Sequence, residues 1–293
     1  MPSGSAASEG SEKAMKTRII TALIGMPIIV AVVLSAPLWA SGLMLGVLCA
    51  IAALELMRAV EPGLQKRRAF WPMLSAFVMP LWLSIRGSGA SLYTLGYYLF
   101  FTFSVELIYS FRKEQRMDLG LFLSGLVGGM IMPMLLTAII RIGLYDGSCR
   151  ANMLLPFIIA FSCDAGAFFC GHAFGKHKMA PRLSPNKTRE GGVGGILCAV
   201  LGACGYGFVM SRIGYSARFG LLVVYGFLGG IACELGDLAF SAIKRIVGIK
   251  DYGYIIPGHG GVLDRFDSMY FTAPLIEILS FWFPAVVMSS ALS

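Results

Sequence analysis

Nine apolar stretches, each close to the length of a membrane-crossing helix, constrain this chain more than any other feature. They fall near 18–36, 38–57, 70–86, 91–111, 121–143, 152–173, 191–211, 219–243 and 269–290, with short polar breaks between them. A bilayer core takes about 20 apolar residues per helical span. The expected fold is therefore an all-α polytopic integral membrane protein with about nine transmembrane helices. Composition agrees, since 57% of the 293 residues are hydrophobic and only 14% are charged, against about 25% charged in soluble domains. Lys16 and Arg18 precede the first run as they would a signal peptide. Its length and the eight runs behind it favour an uncleaved anchor. Residues 1–15 read as a polar, disordered tail.

The net charge of +8 does not point to nucleic acid, because no soluble basic domain or aromatic-lined groove accompanies it. Its distribution is more telling. With the N-terminus in the cytoplasm and nine crossings, nineteen of the 24 Lys and Arg residues fall inside and five outside. The outside group is Arg86, Arg141, Arg150, Arg212 and Arg218. Basic residues in short loops stay cytoplasmic during insertion, so this split supports both the span count and the orientation.

Polar chemistry is concentrated in the C-terminal half. Residues 16–150 form a region of transmembrane helices whose main intramembrane charges, Glu55 and Glu106, are read as structural. Over 151–293 the picture changes. Asp164 sits in "AFSCDAGAFFCGHAF", roughly 13 Å of helix from the cytoplasmic end, where an ionised carboxylate is costly unless paired or facing water. The following "RLSPNKTREGG" offers Ser184, Lys187, Thr188 and Arg189 near a helix start, donors of the kind phosphate oxygens accept. It lacks the order of a Walker loop. In "GGIACELGDLAFSAIKR", Glu234, Asp237, Ser241 and Lys244 fall within an arc of about 80° on one helix face. A salt bridge from Asp237 to Lys244 or Arg245 is the plain structural alternative. Then "VGIKDYGYIIPGHGGVLDRFDS" brings Lys250, Asp251, His259, Gly260, Gly261, Asp264, Arg265 and Asp267 together. Its glycines permit close backbone approach to a ligand, and its carboxylates suit Mg²⁺. Seven cysteines, scattered and without a CxxC pair, read as apolar fillers. A metal site at Cys163, Cys170 and His172 is the rarer alternative.

The stretch "SAIKRIVGIKDYGYIIPGHGGVLDRFD", Ser241 to Asp267, resembles the signature of the phosphatidate cytidylyltransferases, or CDP-diacylglycerol synthases. "CDAGAFFCGHAFGKHKMAPRLSPNKTREG" is similar to a second block of that family, departing at Arg189, where an aromatic residue is expected. The resemblance is specific over about 160–268. It implies transfer of a cytidylyl group from CTP to phosphatidate, giving CDP-diacylglycerol and pyrophosphate at the bilayer surface. It implies that Asp237 and Asp264 carry Mg²⁺, with Asp164 or Asp267 supporting a second cation or its waters. Lys244 and Arg265 would act on the reacting phosphates. Ser184, Lys187, Thr188, Ser241, Arg245, Lys250, Gly260 and Gly261 would bind substrate. The expected location is the bacterial inner membrane with the site facing the cytoplasm; a homodimer is compatible with the sequence. Asp264→Asn is expected to abolish turnover with folding intact. The competing reading from another class is an ion-coupled secondary transporter using Asp164, Glu234 and Asp237 as a carboxylate relay.

Overall fold

The computed structural model describes residues 25, 27–87, 104, 119–145, 150–255 and 260–288. The 91–111 span, the N-terminal tail, Glu106 and His259 lie outside the described residues, as does most of the 18–36 span, of which 27–35 are helical.

Six of the described helices are long and apolar enough to cross a membrane. They are α1 (Leu38–Val60), α2 (Lys66–Arg86), α3 (Leu119–Ile142), α4 (Leu155–Phe174, entered through the 3-10 turn Arg150–Leu154), α5 (Arg189–Arg212) and α6 (Phe219–Ile246). The chain is an integral membrane protein. Exposed Val193, Leu197, Leu201 and Phe208 give α5 an apolar outer face, as a lipid-facing helix requires.

Glycines set how closely the helices approach. A methyl group at Gly226 on α6 would lie 2.4 Å from Val200 Cα on α5, and one at Gly230 would lie 3.0 Å from Ile196 Cα. This small-xxx-small spacing lets backbones meet where lipid supplies no hydrophobic drive between helices. Between α4 and α5 the fit is reciprocal: Cys198 fills the notch at Gly166, and Cys170 fills the notch at Gly194. The cysteines there are packing groups, as their scatter suggested. Contacts also fix direction. Gly42 faces Ser84 and Gly46 faces Phe77, so α1 and α2 are antiparallel; Gly125 faces Pro72 and Met57 while Gly128 faces Ala53, so α3 is antiparallel to α1 and parallel to α2. Residues Gly87 and Leu119 therefore stand at opposite ends of the bundle.

The fold is that of an all-α membrane protein, with two short ribbons added: β1 (Lys178–Ala180) pairs antiparallel with β2 (Ser184–Thr188), and β3 (Tyr215–Ala217) with β4 (Val286–Met288). The prolines at 181 and 185 prevent helix in the first ribbon. One expectation needs correction, because the 269–290 span is misplaced. A four-residue helix, α7 (Leu263–Phe266), precedes α8 (Met269–Trp282), and α8 stops before Pro284. Backbone angles remain helical through Asp267 and Ser268, so the helical path begins near 263. Hydropathy hides its polar first turn and assigns the Val-rich tail, which pairs as strand, to the helix.

Candidate active site

The polar residues of the C-terminal half gather where α5 begins and α6 extends beyond it. The β1–β2 ribbon hands the chain into α5 at Thr188, whose Oγ1 accepts a hydrogen bond from Gly191 N at 3.1 Å and caps the helix. One residue earlier, Lys187 reaches across to α6. Its Nζ donates to Glu234 Oε2 at 2.8 Å and lies 2.6 Å from Asp237 Oδ2. Burial alone would lower the pKa of this lysine, but Asp237 and Glu234 outweigh it and hold the ammonium above its usual range.

Farther along α6, Ser241 Oγ donates to Asp237 Oδ1 at 3.4 Å. Lys244 Nζ donates to Asp264 Oδ1 at 2.9 Å, lies 4.0 Å from Asp267 Oδ2, and stands 5.5 Å from the Tyr252 ring centre. The acid–hydroxyl–base stripe thus faces one space, and each lysine pairs with a carboxylate of another segment. The plain alternative of an Asp237–Lys244 pair is not what forms. Asp237 pairs with Lys187, and Lys244 pairs with Asp264.

Asp264 organises the loop around itself. Its Oδ2 accepts Tyr252 N at 2.8 Å and Gly261 N at 3.0 Å. Gly260 has φ +86 and a methyl there would come 3.1 Å from that same oxygen. Gly260 and Gly261 therefore admit close approach of the protein's own carboxylates, where the sequence suggested approach to a ligand. Asp267 is buried and accepts Ser268 N at 2.9 Å. Burial pushes its carboxyl up to about 8, repulsion from Asp237 and Asp164 adds to this, and Lys244 opposes it. Asp164 Oδ1 receives Cys233 Sγ at 3.4 Å.

Other nominated residues stand differently. Arg245 Nε donates to Leu183 O at 3.1 Å and its Nη1 to Ile249 O at 3.3 Å, tying the ribbon to the end of α6. Lys250 and Arg265 are exposed, as is Arg189, whose backbone N donates to His177 O. Ser184 opens β2 opposite Ala180. Two acids were underrated. Glu234 shares Lys187 with Asp237, and Glu55 on α1 accepts Val262 N and Leu263 N at the start of α7.

Five carboxylates (Asp164, Glu234, Asp237, Asp264 and Asp267) surround two lysines in this space. Among the described residues no three His, Cys, Asp or Glu side chains converge as a ready coordination shell. Mg²⁺ does not require one, because it binds through one or two carboxylates and completes its shell with waters and substrate phosphates. The excess of hard anionic oxygen over ammonium fits such an ion.

The fold and this cluster define a helical integral membrane protein with partly buried lysine–carboxylate pairs where α5 begins. Residues 16–283 match the cytidylyltransferase family, and the chain belongs to it. It is 42% identical over 127 residues to a phosphatidate cytidylyltransferase of Staphylococcus saprophyticus, 44% over 128 residues to one of Staphylococcus epidermidis, and 43% over 129 residues to one of Staphylococcus aureus. Each match covers 43% of this chain and 48% of the relative. The chain thus spans about half the length of the curated relatives it matches.

Proposed function

We propose that this protein transfers a cytidylyl group from CTP to phosphatidate, forming CDP-diacylglycerol and pyrophosphate. The observation that carries this is the pair of lysines on one face of the site: Lys187 held by Glu234 and Asp237, and Lys244 held by Asp264. Similarity to relatives named for this activity supports it. The transporter reading finds no support in the family assignment.

A phosphate oxygen of phosphatidate attacks the α-phosphorus of CTP as the bond to the β-phosphate bridging oxygen breaks, and pyrophosphate departs. The nucleophile is already an anion, so no strong base is needed. The barrier is repulsion between two polyanions. Side-chain lysines that are charged, half-buried and already aimed into the site reduce that repulsion without being reorganised at the moment of reaction. Lys187 and Lys244 exchange their carboxylates for substrate phosphate, and holding the two phosphates in line supplies further acceleration. Asp237 and Asp264 would hold Mg²⁺, with Asp164 or Asp267 supporting a second cation, and the ion would supply positive charge against the leaving pyrophosphate. Ser241 orients Asp237, and Thr188 sets the ribbon that presents Lys187. Arg245, Arg265 and Lys250 line the approach for the triphosphate.

We further propose nine crossings with the N-terminus in the cytoplasm of a bacterial inner membrane, so that the site opens to cytoplasmic CTP. The parallel course of α2 and α3 supports the count, which assigns the single span 91–111 between them. Purified protein given labelled CTP, phosphatidate and Mg²⁺ tests the activity: CDP-diacylglycerol is expected, and its absence with a validated lipid supply rejects the reading.

A further inference from the structure

Glu55 lies in the N-terminal half, outside the stretch that carries the family signature, yet it is built into the candidate site. Its side chain is on α1 and is buried, with 3% of the residue exposed. Oε1 accepts Val262 N at 3.1 Å and Oε2 accepts Leu263 N at 2.8 Å, across more than two hundred residues of sequence. Those amides open the turn that carries Asp264. Two glycines enclose the carboxylate: a methyl at Gly253 would come 2.4 Å from Oε1, and one at Gly261 would come 2.6 Å from Oε2. Gly261 N in turn donates to Asp264 Oδ2. Glu55 and Asp264 therefore both hold the same short loop. Both Glu55 oxygens are committed to backbone donors, which is a fastening geometry and not that of a proton carrier.

We propose that Glu55 is a positioning residue for Asp264: it fixes the 260–264 turn against α1 and so sets where the Asp264 carboxylate stands opposite Lys244. The inference rests on the reading of Asp264 as a member of the active site. It also gives the N-terminal helices a role in the chemistry, since α1 is the anchor against which the turn is registered. Glutamine cannot replace this carboxylate. Its single amide oxygen satisfies one backbone N–H, while its NH₂ group faces the other donor.

The test compares wild-type protein with Glu55→Gln in detergent micelles. Hydrogen–deuterium exchange is read over peptides covering Val262–Phe266, with peptides from α4 and α5 as internal controls. Loss of a buried hydrogen bond to a charged group frees the amide it held, so exchange in the turn should quicken by about tenfold or more. The control peptides should not change. Cytidylyl transfer should show kcat lowered by about tenfold or more with KM for CTP within about twofold, since the turn is displaced and the nucleotide contacts are not.

Gly253→Ala provides a second approach that keeps the Glu55 carboxylate chemically intact but displaces it with a methyl group. It should reproduce the kinetic defect, and Gly253→Ala added to Glu55→Gln should cost less than the two effects combined. Unchanged exchange in the turn of Glu55→Gln overturns the proposal, whatever the activity. So does quickened exchange with undiminished kcat, or full additivity of the two substitutions. If the wild-type protein makes no CDP-lipid, the functional reading fails instead, and the exchange comparison still decides whether Glu55 fastens the turn.

Discussion

Lys187 Nζ stands 2.6 Å from Asp237 Oδ2 and 2.8 Å from Glu234 Oε2, joining the β1–β2 ribbon to the middle turns of α6. The lysine is mostly buried, with 19% of its side chain exposed, and so is poorly screened by solvent. One ammonium shared by two acids balances half of their charge. The arrangement is stable only while Lys187 stays protonated, and the two acids keep it so.

Lys187→Met should therefore do more than remove a phosphate contact. It leaves Glu234 and Asp237 facing each other without a cation, at a cost of about 1–3 kcal/mol once partial exposure is allowed for. Turnover of CTP should fall by about a hundredfold. Lys187→Arg should restore most of the stability and little of the activity, because a planar fork cannot occupy the position of a compact ammonium. Thermal unfolding and CDP-lipid formation measured on both variants check this, and near-normal turnover in Lys187→Arg would contradict it.

Asp264→Asn separates less cleanly than the sequence suggested. Asp264 accepts from Lys244, Tyr252 N and Gly261 N, so an amide there loses a charge partner and turns a donor toward a donor. Loss of turnover should come with loosening of the 252–264 segment. Asp237→Asn should be the cleaner probe, because its partners are the Lys187 and Ser241 side chains, which can move. Limited proteolysis beside activity distinguishes the two: Asp264→Asn more labile than wild type, Asp237→Asn not.

Much of this site could be seen in the sequence, for reasons that differ by residue. Glu234, Asp237, Ser241 and Lys244 share a helix face because 100° steps place them there, and helical periodicity is visible without coordinates. Lys187 and Asp264 were picked out as polar residues in loops between apolar spans, but their partners were not, since pairing across segments depends on packing. Glu55 reads as structural in the sequence, and the structure sets its carboxylate on the Val262 and Leu263 amides. What periodicity cannot convey is that α1 passes beside the 260–264 turn. Gly191, Gly194 and Gly195 serve helix contact with α4. The composition of a close helix contact and of a phosphate cradle is the same until a neighbour is known.

Removing divalent metal should expose the cost of the buried acids. Asp267 has its carboxyl raised to about 8 by burial, with Asp237 and Asp164 adding repulsion. A carboxyl whose folded pKa exceeds its unfolded value of about 3.9 favours folding in its protonated form. That contribution is complete below about pH 4 and disappears as pH rises through about 8. In EDTA, the Tm should decline between pH 6 and pH 9, and Asp267→Asn should flatten the decline. An equal slope in the variant would place its origin at another group.

The site also depends on a contact well away from any charge. At Gly226 a methyl would meet backbone, with Val200 Cα at 2.4 Å, Val200 N at 2.8 Å and Ala199 O at 2.8 Å. Backbone cannot rotate aside as a side chain can, so Gly226→Ala must push α5 from α6, at about 1–3 kcal/mol for an overpacked core. At Gly205 nothing lies within 4 Å. Gly205→Ala should be neutral or slightly stabilising, since alanine is the better helix former. Because Lys187 enters the site from the first residues ahead of α5, moving α5 also draws its ammonium from Asp237 and Glu234. Gly226→Ala should thus lower both Tm and turnover, whereas Gly205→Ala should leave turnover within about twofold of wild type. Thermal unfolding and CDP-lipid formation on the two purified variants test the link, and a Gly226→Ala protein with normal turnover would show that α5–α6 spacing does not set the position of Lys187.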